Sequence, residues 1–207
     1  MPTHSVTRDS VTLFPTPRWV YRVDGWQRLN ATVVAAAEAI MADTPNGRPP
    51  AWGADVYTTI SNNNLLHRHP ALAPLTAAFQ EGLDGFARSL GHTLKAHRVV
   101  IRNCWLNAYR FGAAQERHTH KNYVFSAIYY AKAPVGAASL LVHAPDADRA
   151  VRPAYRPDSR FAKDVFEVRP EPGLMVFFQS HLRHSVPAST IEGERLSISL
   201  NAAVEPV

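Results

Sequence analysis

Residues 99–111 read VVIRNCWLNAYRF, and the alternation within them decides the fold. Successive side chains of a strand point to opposite faces of its sheet. On one face stand Cys104, Leu106 and Ala108, small or apolar residues suited to packing against helices. On the other stand Asn103, Trp105, Asn107 and Tyr109, which suit the lining of a pocket. Further strand-like segments follow at YVFSAIYYA (123–131), SLLVHA (139–144), FEVRP (166–170), LMVFFQ (174–179) and RLSISLNAAV (195–204). Upstream the grammar is helical. In GWQRLNATVVAAAEAIMA (25–42), Leu29, Val33, Ala37, Ile40 and Met41 recur at helical spacing. A second helix is expected over 71–90, with Leu72, Leu75, Phe79, Leu83 and Phe86 along one face and Gly91 as its stop. Between them lie a Pro/Gly/Asn-rich loop at 44–53, then a short strand and the turn-prone Ser61-Asn62-Asn63-Asn64 within 55–66. Residues 10–23 read as extended, interrupted by Pro15 and Pro17. Helices followed by short strands predict a mainly β fold, an antiparallel barrel or sandwich backed by helices. We expect one domain over 1–207, with helical support at 25–91 and a β core from about 96 to 204.

Bulk properties narrow the function. The chain has 207 residues, 46% of them hydrophobic, enough for a packed core and too apolar for disorder. No apolar run approaches the ~20 residues of a membrane span, and the first residues lack the apolar stretch of a signal peptide. A lone cysteine, Cys104, excludes an internal disulfide and a Cys-rich metal site, so a cytoplasmic setting is expected. That thiol reads as a buried small hydrophobe. The net charge of +5 comes from dispersed basic residues without a Lys/Arg run, which argues against nucleic acid and leaves a small, amino-acid-like or anionic substrate as the expected partner. A homodimer is left open.

Chemistry concentrates in His118-Thr119-His120, His184 and Arg195. Two imidazoles at alternate strand positions project to one side. Alone they read as exposed strand histidines. With His184 added they can close a facial metal site that leaves positions open. His184 is preferred over His181 for its distance to Arg195 and its Val-Pro context. In the last strand Arg195, Ser197, Ser199 and Asn201 share one face, opposite Leu196, Ile198 and Leu200. A polar inward face led by arginine suits a carboxylate gripped in a bidentate manner. Ser197 and Tyr109 can add hydroxyl donors, and Trp105, Asn107 and Asn122 are candidates for a substrate pocket. His143 reads as a structural or pocket residue. His4, His67, His69, His92 and His97 read as surface or helix-flanking residues.

These residues resemble the Fe(II)/2-oxoglutarate-dependent oxygenases with a double-stranded β-helix (jelly-roll, cupin-like) core, specifically a small bacterial and phage branch carrying HxH. The matching stretches are LFPTP (13–17), NAYRFGAAQERHTHKN (107–122), SAIYYAKAP (126–134), PGLMVFFQSHLRHSVP (172–187) and ERLSISLN (194–201). The resemblance implies Fe(II) on His118, His120 and His184, with O2 as co-substrate. It implies 2-oxoglutarate on the metal, its far carboxylate on Arg195 and Ser197, and oxidation of a C–H bond with release of succinate and CO2.

The chain departs from the usual pattern. His120 stands where a carboxylate is usual, so the ligand set is neutral and leaves more positive charge on the metal. Alternatively His120 does not bind, leaving two histidines or recruiting Glu116. Ser126-Ala127 replaces Ser-Gly, and GAAS (136–139) replaces a Gly-rich turn. The neutral triad also fits a three-His cupin-type dioxygenase that uses no 2-oxoglutarate, or a non-catalytic metal- or ligand-binding barrel. Arg149, Arg152, Arg156 and Arg160 read as a solvated loop, or as a lid that meets an anionic substrate.

Overall fold

The computed structural model describes residues 16–145, 154, 156, 159 and 163–207. Two antiparallel sheets face one another. The larger contains β1 (Trp19–Tyr21), β2 (Tyr57–Thr58), β3 (His97–Tyr109), β5 (Phe125–Lys132), β8 (Met175–Gln179) and β10 (Arg195–Pro206). Its strand order is β1-β8-β5-β10-β3-β2. The smaller contains β4 (Gln115–His118), β6 (Leu140–His143), β7 (Val165–Val168) and β9 (His184–Val186), in the order β4-β9-β6-β7. The result is a jelly-roll core flanked by two helices, α1 (Trp26–Asp43) and α2 (Ala73–Ser89).

Why the helices lie on the large sheet follows from the two-faced strands. Val33, Ala37 and Ile40 of α1 and Leu75, Phe79, Leu83 and Phe86 of α2 are buried. They join one apolar cluster with Cys104, Leu106, Ala108, Leu196, Ile198, Leu200 and Phe177. The face of β3 read as helix-packing is therefore the one under the helices. At Gly82, a Cβ would collide with the Phe177 ring, so glycine sets how closely α2 approaches β8. Gly91 ends the helical region at φ +83°, a conformation that favours glycine.

A second cluster fills the space between the sheets, with Ile128, Tyr130, Leu140, Val142, Val176 and Phe178 among its members. Tyr129 and Tyr130 alternate accordingly. The Tyr129 hydroxyl reaches back to donate to Asn30 Oδ1 of α1 at 2.9 Å, whereas Tyr130 points between the sheets.

Register places the polar faces together. Along β10, Arg195 pairs with Tyr109, Ser197 with Asn107 and Ser199 with Trp105 of β3. On its other edge Ser197 pairs with Tyr130 and Ser199 with Ile128 of β5. Side chains in direct cross-strand register share a face. The pocket-lining face of β3 and the polar face of β10 thus form one floor.

Several expectations shift. The strand carrying the HxH pair ends at His118, so Thr119 and His120 stand beyond it. His120 lies in a turn whose amide donates to the Ser180 carbonyl at 2.9 Å. The extended 10–23 segment contributes only β1 among the described residues, since 1–15 lie outside them. The helix expected from 71 begins as a 3-10 turn at Pro70–Leu72 and becomes α-helical at Ala73, because Pro74 has no amide to donate to the Pro70 carbonyl. Arg149, Arg152 and Arg160 lie outside the described residues.

Candidate metal centre and co-substrate pocket

A cavity of about 420 Å³ opens between the sheets. His118 enters it from the end of β4, His184 from the start of β9 and His120 from the turn between β4 and β5. β4 and β9 are paired with His118 opposite His184. That register accounts for the closest ring pair, with centroids 4.2 Å apart. His120 sits 4.9 Å from His118 and 5.1 Å from His184. One ring nitrogen from each lies within 4.8 Å of the others. Among the described residues this is the sole group of three or more His, Cys, Asp or Glu side chains so gathered. His120 therefore joins the cluster although it has left the strand, because the turn bends its ring back.

The imidazoles are held in the state a metal needs. His118 Nδ1 lies 2.7 Å from the Glu116 carbonyl and His184 Nδ1 lies 2.8 Å from the Leu182 carbonyl. A carbonyl only accepts, so each Nδ1 carries the proton and each Nε2 keeps its lone pair. Burial, the largest cause, lowers all three pKa values. His184 is pushed down to about 3 and His120 to about 4, in each case with neighbouring imidazoles adding to the effect. For His118 the Glu116 carbonyl and carboxylate partly offset burial. All three are neutral at pH 7, so no proton has to leave before a cation binds. Three borderline nitrogen donors, second contacts fixing two of them, and open space in front suit a divalent first-row metal.

Glu116, the alternative third ligand, is committed elsewhere. Its Oε1 accepts from the Gly53 and Ala54 amides at 2.8 and 3.0 Å. Its carboxyl is held below the usual range, first by its own amide and then by these two, against a burial effect of opposite sign. His181 is exposed while His184 is 4% exposed, which separates the two competitors. His143 Nε2 contacts Ser185 Oγ at 2.9 Å and is not among the cavity-lining residues. Cys104 is buried, and burial pushes its thiol up to about 12.

Arg195 is 2% exposed, yet its Nε and Nη1 have no hydrogen-bond partner. Its guanidinium carbon lies 4.6 Å from the Tyr109 ring centre and 4.9 Å from that of Tyr130. The adjacent acid, Glu194, is engaged by Arg110 at 2.9 Å and faces Lys132 at 3.8 Å. Among the described residues no carboxylate pairs with Arg195; a buried cation without a counter-ion is costly, and here it lines the same cavity as the three histidines. Ser197 and Tyr109 line the cavity beside it. Burial raises the Tyr109 pKa and Arg195 pulls it the other way, so the phenol remains a proton donor at neutral pH. The donor set therefore fits a carboxylate.

Trp105 and Asn107 line the cavity as expected. Trp105 stands edge-on to His120 at 5.8 Å, and Asn107 Nδ2 donates to Ser199 Oγ at 3.3 Å. Asn122 does not join them. It is exposed, on the turn past His120, and is not among the lining residues. Sequence reasoning missed Ala51, Trp52 and Ile60, which supply another wall. Ile60 comes from the 55–66 segment read as a short strand and turn, and Ala51 and Trp52 from the 44–53 loop read only as rich in Pro, Gly and Asn. Arg48 pins that loop by donating to the Trp52 and Ala54 carbonyls at 3.0 and 3.1 Å.

The cavity thus joins a jelly-roll core, a three-imidazole cluster and a buried arginine whose Nε and Nη1 lack partners. Residues 103–201, which hold all three histidines, Arg195 and Ser197, match the family described as "Putative 2OG-Fe(II) oxygenase". The cofactors of that family are Fe(II), 2-oxoglutarate and O2, the set implied by the sequence resemblance. Among solved structures, a Pseudomonas putida prolyl-4-hydroxylase is 18% identical with a TM-score of 0.60, covering 91% of this chain and 92% of its own. An oxidoreductase of the 2OG-Fe(II) oxygenase family from Burkholderia pseudomallei is 17% identical with a TM-score of 0.57, over 82% and 78%. HygX from Streptomyces hygroscopicus, solved with nickel and 2-oxoglutarate bound, is 13% identical with a TM-score of 0.56, over 91% and 82%. At these identities the likeness is one of fold. No curated protein matches the sequence. Among the described residues no helix is long and apolar enough to cross a membrane.

Proposed function

We propose that this protein is an Fe(II)/2-oxoglutarate-dependent oxygenase of the hydroxylase type, oxidising an unactivated C–H bond of a small molecule and releasing succinate and CO2. One observation carries the reading: Arg195, buried and, among the described residues, without an anion, shares a cavity with three neutral imidazoles. His118, His120 and His184 would hold the metal. Arg195, Ser197 and Tyr109 would hold the far carboxylate of 2-oxoglutarate. Iron with its keto-acid co-substrate supplies oxygen activation and C–H oxidation when bound. The protein's own work is placement. The rings of Tyr109 and Tyr130 pack against the guanidinium and help hold it at the cavity. The carbonyls of Glu116 and Leu182 keep two rings turned. Trp52, Ile60, Trp105 and Asn107 shape the remaining volume. Iron and 2-oxoglutarate would occupy part of the cavity of about 420 Å³ and would leave room for a small, amino-acid-like or anionic substrate. The whole chain is read as one domain, and a lone buried thiol suits a reducing cytoplasm.

The test is anaerobic addition of Fe(II) and 2-oxoglutarate, followed by oxygen. A visible charge-transfer band and succinate formation are expected. Arg195→Ala should weaken 2-oxoglutarate roughly 100-fold, about 3 kcal/mol for a buried charged partner, with metal affinity little changed. Metal binding with neither band nor succinate would refute the proposal. Oxygen uptake that ignores 2-oxoglutarate would replace it with a three-His cupin-type dioxygenase.

A further inference from the structure

His120 differs from its two companions. Backbone carbonyls hold the Nδ1 atoms of His118 and His184. Among the described residues His120 has no such contact, and it stands in a turn outside the sheet. Something else must place its ring. The turn from His120 to Val124 is wrapped around one residue, Ser180. The His120 amide donates to the Ser180 carbonyl and the Ser180 amide donates to the Val124 carbonyl, both at 2.9 Å. Tyr123 closes the turn by donating to the His120 carbonyl at 3.2 Å.

Ser180 is itself anchored from within the large sheet. Its hydroxyl lies 2.8 Å from Ser126 Oγ, and Ser126 Oγ donates to Asn201 Oδ1 at 2.7 Å. A hydroxyl has one proton to give. Ser126 spends its proton on Asn201, so Ser180 must donate to Ser126. The chain has a fixed direction: Ser180 to Ser126 to Asn201. Its three members are 0%, 2% and 2% exposed. Asn201 pairs with Ser126 across one edge of β10 and with Asn103 across the other. Asn103 in turn donates to the Tyr123 hydroxyl in the same turn at 2.9 Å. Buried, fully directional hydrogen bonds of this kind specify one geometry, because each broken bond strands a polar atom.

We propose that Ser180, Ser126 and Asn201 are positioning residues for His120, transmitting the register of β5 and β10 to the turn that carries it. This rests on the metal-centre reading, because its consequence is read at the metal. The strand register would then place the third ligand as firmly as the carbonyls place the other two. Loss of the relay should let the His120 ring drift while His118 and His184 stay in place.

The test is a double-mutant cycle on the full chain, stripped of metal and titrated with Co(II), following the absorption of the bound ion. Ser126→Ala should weaken Co(II) about tenfold, at the lower end of the effect of groups that orient metal ligands. Ser180→Ala serves as the second variant should the first melt early, with the same expectation. In a His120→Ala background either serine substitution should change the affinity less than twofold, since the residue it positions is gone. An equal loss in both backgrounds would mean a general packing effect and would overturn the proposal. So would unchanged Co(II) affinity in both folded single variants. Failure of the parent chain to bind Co(II) would remove the metal centre itself, an outcome seen before any variant is made.

Discussion

Glu116 does two tasks from one position. Its carbonyl orients His118, while its carboxylate grips the amides of Gly53 and Ala54 and so holds the loop that carries Trp52 over the cavity. A hydrogen bond to a charged acceptor contributes about 1.5 kcal/mol or more. Glu116→Ala should therefore speed hydrogen exchange at Gly53 and Ala54 roughly tenfold, given ~1.4 kcal/mol per factor of ten. Glu116→Gln keeps an acceptor oxygen and should retain most of the protection. Because the backbone of Glu116 is untouched, metal affinity should change little in either variant. Equal exchange in all three proteins would show that Arg48 alone holds the loop. A residue two places before a ligand invites assignment as a ligand. The sequence shows its carboxylate, and only the fold shows the two amides that already occupy it.

At the scale of elements, alternation made most of the architecture legible. The two faces of 99–111 and of 195–204 read directly as helix-packing and cavity-lining, because strand periodicity needs no tertiary knowledge. Both helices were likewise readable from their apolar spacing. What stayed hidden depended on contacts distant in sequence. The end of β4 at His118 reflects a turn wound around Ser180, and the 51–54 wall depends on Arg48 and Glu116. Neither leaves a local pattern. Gly82 is another such case: within a helix it reads as a weak position, yet it is the contact point with Phe177. Gly82→Ala would gain up to ~1 kcal/mol in helix propensity. The collision with a fully buried ring should outweigh that gain and destabilise the fold by about 1–3 kcal/mol. A fall in melting temperature of several degrees is expected, with partial recovery on adding Phe177→Leu, which shortens the obstructing side chain. A higher melting temperature for Gly82→Ala would show that α2 has room to move off β8.

Across the whole molecule, the site ties the two sheets together. The histidines project from the small sheet and the turn beside it, whereas Arg195, Ser197 and Tyr109 belong to the large one. A ligand spanning metal and arginine bridges the sandwich, so its binding should stabilise the folded chain as a unit. Ligand at about 100 times its dissociation constant contributes roughly 2.7 kcal/mol, which for a chain of this length is a rise of about 5–10 °C. Thermal melting with Ni(II) should show the first rise. Adding 2-oxoglutarate to the Ni(II)-loaded protein should give a second, whereas 2-oxoglutarate alone should give little, because half of its grip is missing. In Arg195→Ala the first rise should persist and the second should shrink, since the metal half of the site is intact and the anion half is not. A full second rise in that variant would mean that the dicarboxylate does not reach across to β10, and that the unpaired guanidinium serves another anion.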